Sequence, residues 1–469
     1  MNDLTKAATN SIAGSTPDTA TFAEGTANVQ VTEYAAPVAW TRATRIAFRF
    51  CFVYFSLFVL TAQMLPGMFP LPGIEIPELG SFAILQVPVV WFGAHVLHLS
   101  EPISLLPSGS GDRLFDWTLV LMMLIIATVS TSVWSLRSKT ATNHAKLYKW
   151  FRFFMRWALA TTMLSYGFAK VIPLQMLPHE LSRLIEPYGD FSPMGVLWSF
   201  IAASPAYEIF IGMAEVFAGT LLFWPRTTLF GLIVTLMDAI GIFTLNMTYD
   251  VPVKLFSFHL ILISLVLLAP NFKTLFTLLF LQRAAEPVRE PPIGRTAKAQ
   301  HRWVIAQVVF GGCALIIGSI GGLMSWNTYG GGAPTSPLYG IWSVKETVID
   351  GVVQPPLLTD SKLFKHVVFQ RRASASFQRM NDKFSWYATS YDTATKSIAI
   401  YVPKPPTSPS DTAKPAPNFT YERVSSDSLL LDGTLNGHKM RFTLKLRPTE
   451  KFIQHSRGFN WVQQNPINR

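Results

Sequence analysis

Cysteine is nearly missing from this sequence. Only Cys51 and Cys313 occur in 469 residues. Each lies inside an apolar run, so there is no disulfide framework and no CxxC metal or dithiol motif; both read as small core residues. Charge is scarce as well. Asp, Glu, Lys and Arg make up 14% of the chain against 49% hydrophobic residues, and mean hydropathy is +0.30. That is too apolar for an ordinary soluble protein of this length, and the chain reads as a polytopic membrane protein. Acidic residues are the rarer sign, giving a net charge of +11. No nucleic-acid motif accompanies the surplus, so nucleic acid is excluded as a partner and the basic residues are read as orientation signals. Residues 1–40, rich in Thr, Ala, Ser and Pro, lack a basic n-region followed by a short apolar segment. They read as a disordered cytoplasmic tail and not as a cleavable signal peptide.

What is present is a series of apolar runs. A helical bundle is expected over 41–328, with about seven spans near 42–68, 114–136, 150–172, 206–224, 228–248, 252–269 and 303–325. Between the first two, QVPVVWFGAHVLHL is too short to cross and reads as an interfacial or re-entrant helix. Lys and Arg gather at 42–49, 137–156, Arg226 and 273–302, whereas the alternate links before the last span hold Arg113, Arg183 and Lys254. By the positive-inside rule the N-terminus is cytoplasmic and everything past the seventh span is extracytoplasmic. Trp134, Trp150, Trp157, Trp198 and Trp224 fall near span ends as interface anchors.

After WNTYGGGAPTSP the pattern changes. Residues 329–469 carry short alternating runs, such as KLFKHVVFQ and HKMRFTLKLR, separated by turn clusters such as YDTATK and LNG. This spacing predicts an antiparallel barrel or sandwich, with Trp342, Phe369, Trp386 and Trp461 as buried anchors. From Lys345 to Arg469, 18 Lys and Arg face 10 Asp and Glu, a surplus suited to an anionic lipid surface. The fold class is therefore a mainly α membrane bundle followed by an extracytoplasmic β-domain.

Ionisable residues lie inside or at the ends of the apolar runs, where they are costly and mark a site. Lys170 is in the last turn of the third span. Glu208 opens the fourth, and Glu215 follows two turns deeper on the same face, in a stripe with Gly212 and Gly219. Asp238 is near the middle of the fifth span, Asn246 and Asp250 end it, and Lys254 and His259 begin the sixth. Short turns make these helices neighbours, which predicts a polar pocket in the outer half of the bundle. Lys170 and Lys254 are the natural partners of Glu215 and Asp238; structural ion pairing without chemistry is the plainer alternative. Tyr166 joins Glu208, Asn246, Asp250 and Lys254 as candidate ligand contacts. His95 and His98, spaced i, i+3, could begin a metal site with Asp112 or Asp116, although no third ligand is placed.

At YGFAKVIPLQM, SPMGVLW, SPAYEIFIGMAEVFAGTLL and NMTYDVPVKLFSFHLIL the chain resembles bacterial DoxX-like integral membrane proteins, in a long form with extra spans and a C-terminal extramembrane domain. The likeness covers roughly 145–270, and WFGAHVLHL and GSGD extend it upstream. It implies association with membrane redox chemistry or with quinone, as in members linked to quinone-coupled sulfur oxidation and to redox maturation of periplasmic proteins. The missing CxxC and the lack of a haem or flavin motif depart from a redox enzyme. A looser similarity, carried by Lys170 and His259, is to vitamin-K-dependent carboxylase-like membrane proteins. Gly340-Ile341-Trp342 and Arg457 resemble the GxW and closing Arg of lipocalin-like barrels.

The resulting expectation is a redox-associated protein with a quinone-like ligand. Lys170 and His259 would bond its oxygens, and Glu215 or Asp238 would deliver protons. The alternatives are a carrier that passes lipid or another hydrophobic molecule to the β-domain, and an assembly factor without a ligand.

Overall fold

The computed structural model describes residues 39–69, 76–106, 108–177, 180–286, 288, 292–371, 373–402 and 416–468. The expected N-terminal tail up to residue 38, and most of the Pro-rich insert near 403–417, lie outside them. The first helix, α1 (Arg42–Thr61), starts where the Thr41 hydroxyl accepts a hydrogen bond from the Thr44 amide at 3.1 Å. Then come α2 (Met64–Gly67), the 13-residue α3 (Ala83–His95), α4 (Leu114–Arg137) and α5 (Ala145–Val171). The bundle continues with α6 (Pro193–Ala202), α7 (Pro205–Phe223), α8 (Thr228–Thr248), α9 (Lys254–Leu268), α10 (Phe272–Leu279) and α11 (Ala297–Thr328).

Among the described residues six segments are long and apolar enough to cross a membrane: α1, α4, α7, α8, α9 continued through α10, and α11. Their outward faces stay apolar, with Val129, Phe210, Met237 and Ile316 exposed. The expected third span, α5, has the length, at 27 residues, but Arg152, Arg156 and Lys170 interrupt it. It is tolerated because α5 touches α1, α2, α7, α9 and α11, so its polar groups meet protein. Among the described residues the bundle expected to hold about seven spans thus has six apolar ones, with the more polar α5 packed among them.

Glycine fixes how closely α5 and α7 approach. A Cβ at Gly212 would lie 2.7 Å from the Lys170 Cβ, and one at Gly167 would lie 2.7 Å from Val216. The small-residue stripe of α7 thus receives a helix. At the other end of α5 the basic residues, read from sequence only as orientation signals, are partly buried structure. Arg49 donates to Ser135 Oγ at 2.9 Å and His144 Nε2 at 3.0 Å, Arg152 to the Leu267 carbonyl at 2.8 Å, and Arg156 to Thr228 Oγ1 and Gln307. Cys313 is exposed on the outside of α11 and is not the expected core residue, whereas Cys51 is half-buried and packs against the core. Trp150 and Trp224 are exposed near helix ends, whereas Trp157 packs against Phe310 and Phe223.

The C-terminal part is a closed antiparallel barrel. Strands β1 (Thr335–Ile349), β3 (Phe364–Arg371), β4 (Ser374–Arg379), β5 (Phe384–Asp392), β6 (Ser397–Tyr401), β7 (Phe419–Ser425), β8 (Ser428–Leu435) and β9 (His438–Arg447) pair in chain order. Pairing of β1 with β9 closes the ring, and the short β2 (Val352–Gln354) adds to β1 as a hairpin. Asn436 and Gly437, both with positive φ (52° and 85°), make the tight turn between β8 and β9. Trp342, Phe369, Phe377, Phe419 and Phe442 fill the interior. Trp386 and Trp461, expected as anchors, are instead 52% and 91% exposed: Trp386 sits on the outward side of β5, and Trp461 lies beyond the last strand. The arginine across Trp342 is Arg423 of β7, 5.8 Å from the ring centroid and donating to the Pro337 carbonyl. Arg457, expected in that role, follows the final short helix α12 (Ile453–Ser456) and bonds Gln463.

The barrel rests on the loop after α5. Leu181 is buried against Ile341 and Val368, while Gln370 donates to Ser182 Oγ and Gln378 to the Ile185 carbonyl, both at 3.1 Å. It therefore stands at the end of the bundle where α5 finishes and α7 begins.

Candidate binding chamber at the barrel end of the bundle

The sequence-derived residues divide into several environments. Lys170 and Glu215 form a buried bidentate pair: Nζ donates to both carboxylate oxygens, at 2.7 and 2.9 Å, with side chains 7% and 2% exposed. The close approach of α5 and α7 sets this geometry. Glu208 is fully buried; one oxygen accepts the Met176 amide at 3.1 Å, pinning the chain after α5 to α7, and the other has no partner among the described residues. Asp238 on α8 lies within electrostatic reach of Lys170 and Glu215, and its buried Oδ2 likewise has no described partner.

His259 lies elsewhere. Its ring stacks on Phe58 at 3.8 Å, Nδ1 donates to the Leu255 carbonyl at 2.7 Å, and Nε2 shares a hydrogen bond with the Tyr54 hydroxyl at 2.7 Å. A carbonyl can only accept, so Nδ1 carries a proton and both ring nitrogens are engaged. Asn246 ties α8 to α9 by donating to Ser257 Oγ at 3.0 Å. Lys254 pairs with Asp250 at 2.8 Å, on a side chain 80% exposed, and approaches Asp112 at 3.8 Å, so it is not the expected partner of Asp238.

Asp112 has a clear structural task. Its two oxygens accept the Lys254 and Leu255 amides, at 2.8 and 2.9 Å, capping the N-terminus of α9 where an anion is favoured. Both oxygens are therefore engaged. His95 stacks on Trp91 and bonds the Trp91 carbonyl. The helix ends there and His98 has φ +50°, so the expected shared helix face does not form. Among the described residues no three His, Cys, Asp or Glu are grouped to hold a metal ion.

A chamber of about 540 Å³ lies between α1, α4, α5 and α9 at the barrel end. Phe58, Leu119, Val120, Met123 and Phe256 form its apolar wall; Gln63, Glu78, Arg113, Asp116 and Tyr166 supply polar groups. Arg113 grips Asp116 in a fork, at 3.0 and 3.2 Å. Glu78 belongs to the loop outside the spans. Burial pushes its carboxyl up from the usual range, the Asp116 carboxylate pushes the same way, and Arg113 opposes both. The Tyr166 hydroxyl accepts from Gln63 Nε2 at 2.8 Å, which leaves its own proton to donate. The Lys170 ammonium lies 5.6 Å from the centroid of the same ring. Tyr166 is thus the link between the predicted ion pair and the chamber.

No protein-family model matches the chain, and no solved structure matches it. A stretch of 110 residues is 33% identical to a Bacillus subtilis (strain 168) protein named "Uncharacterized protein YwoB". It covers 24% of this chain and 70% of that protein. The chain belongs to the YwoB family. The likeness spans too few residues to hold both bundle and barrel, so much of this architecture lies beyond what the YwoB relative shares. Its printed name assigns no activity, and the site residues rest on this chain's own geometry.

Sequence reasoning missed the roles of Gln63, Glu78 and Arg113. Gln63 carried a usable signal, being a hydrogen-bonding side chain at the end of an apolar run. Glu78 and Arg113 sit in loops, where a charged residue is unremarkable until the fold shows what it faces.

Proposed function

We propose that this YwoB-family protein is a redox-associated membrane protein of the DoxX-like kind that binds a quinone-like head group in the chamber. One observation carries the reading: a phenol held by Gln63, its proton without an acceptor among the described residues, faces a chamber walled by Phe58 and Phe256. A planar ring bearing a carbonyl oxygen matches both features, and about 540 Å³ falls within the range of small-molecule sites. Lys170, held by Glu215, backs the ring of Tyr166. It acts on a ligand through Tyr166, as a positioning residue. The carrier alternative has against it the aromatic filling of the barrel, where a transferred molecule would have to go.

The test is mass spectrometry of small molecules that copurify with the intact protein, with titration of a tail-less benzoquinone. Tyr166→Phe removes the donor and should weaken quinone binding roughly five- to tenfold, the effect of about 1–1.4 kcal/mol from one hydrogen bond. No copurified quinone together with no binding by the wild type would sink the proposal.

We further propose a bacterial inner-membrane location with the barrel outside, because Arg42, Arg137, Arg226 and Lys273 lie in the links that sequence order puts opposite the barrel. A reporter that works only in the cytoplasm, fused after Ser336, should stay silent; an active fusion reverses the orientation.

A further inference from the structure

We infer that the chamber's ligand carries a long hydrocarbon tail and that the tail lies in the groove between α5 and α11. The inference rests on the head-group reading above and adds the ligand class, a polyisoprenoid-tailed amphiphile.

The groove has a volume of about 810 Å³. Phe168 and Leu164 wall it from α5, and Ile317 and Gly321 from α11. Gln63 and Glu78 line both the groove and the chamber, so the two spaces border the same pair of side chains, of which Gln63 bonds Tyr166. A head group bonded to Tyr166 would therefore have its substituent beside the groove's entrance. From Ala314 to Thr328, which mark its limits on α11, the groove runs roughly 21 Å at 1.5 Å per residue. That is the shape of an extended chain and much longer than a ring.

Contact and opening are separated on α11. A Cβ at Gly318 or Gly322 would come 2.5 or 2.4 Å from Phe168 or Ile172, so these glycines seat α11 on α5. A Cβ at Gly321 would meet no atom within 4 Å. Among the described residues the groove is thus open space between two helices already in contact. Both belong to the apolar bundle, where the available filler is hydrocarbon.

The experiment titrates the purified full chain with two probes, a tail-less benzoquinone and the same head with a polyisoprenoid tail. Wild type should bind the tailed probe at least tenfold more tightly. Gly321→Leu, which places a side chain in the open groove, should remove that preference while leaving tail-less binding unchanged. Ser325→Leu, one turn further along the same wall, should act alike and serves if the first variant folds poorly. Equal binding of the two probes by wild type overturns the tail site and leaves the chamber standing. Binding of neither removes chamber and tail together. An undiminished preference in both variants, or a change in oligomeric state that gives the groove to a second copy, overturns the inference.

Discussion

Removing the ammonium of Lys170 is the sharpest perturbation of the bundle. The Lys170→Met change keeps the length of the side chain and leaves Glu215, 2% exposed, without the partner that met both its oxygens at 2.7 and 2.9 Å. Breaking one side of such a buried pair costs about 3–5 kcal/mol. At an unfolding entropy of about 2.1 cal/mol/K per residue, a bundle of roughly 290 residues should melt roughly 5–8 °C lower. Thermal unfolding followed by intrinsic fluorescence in mild detergent measures it. Lys170→Met combined with Glu215→Leu leaves no orphan charge and should recover most of the loss, because residues in direct contact couple strongly. The double variant also separates two roles. It should regain stability yet bind the tail-less quinone a few-fold more weakly, since Tyr166 has lost the cation behind its ring. A single variant as stable as wild type, or a double variant no more stable than the single, would refute the pairing argument.

Asp112→Ala strips the cap from α9 and leaves the Lys254 and Leu255 amides unsatisfied; a loss of about 2 kcal/mol is expected in the same melt, and an unchanged melt would show the cap to be idle. His366 of β3 is held below its ordinary pKa of 6.5, chiefly by burial, with Arg447 and Lys365 adding to the effect and the Gln378 bond opposing it. The unfolded chain therefore takes up the proton first as pH falls, so this contribution to stability is complete above pH 6.5 and is lost as pH drops toward the folded pKa. His366→Gln should flatten that part of the stability-versus-pH curve, and an identical slope would exclude His366 as its source. The fragment Ser336–Arg469, which has its own core around Trp342 and Phe442, should give a β-type circular dichroism spectrum and a cooperative melt; a disordered spectrum would show that the barrel needs the bundle.

The parts of this fold most legible in the sequence are those that repeat. Apolar runs, the basic links between them and the alternating strands after Ser336 announce bundle and barrel, because period and charge are local properties. The partnership of Lys170 with Glu215 was legible for a similar reason: both were charges in apolar helices with glycines between them. Arg152 and Arg156 hid because a basic residue near a span end has the same sequence signature whether it faces water or a buried carbonyl. His259 looked like a free functional group, yet its two nitrogens are engaged by Leu255 and Tyr54, one of them 205 residues away. Trp461 misled in the opposite direction, since aromatic character alone does not say whether strands remain for the residue to pack against.

The closing of the barrel by its first and last strands has a consequence for how the protein is made. Strand β1 emerges directly after α11, but the partner that completes it, from Met440 to Arg447, is synthesised about a hundred residues later. Until then β1 presents an unpaired edge, and each new hairpin moves the second edge outward without removing the first. Non-local pairing of this kind is slow, and the open-edged chain is prone to associate with other copies. A ribosome stalled before His438 would therefore leave a finished bundle tethered to an adhesive sheet. Quality control of this protein should act on the final strand, because only its arrival leaves the barrel without an edge.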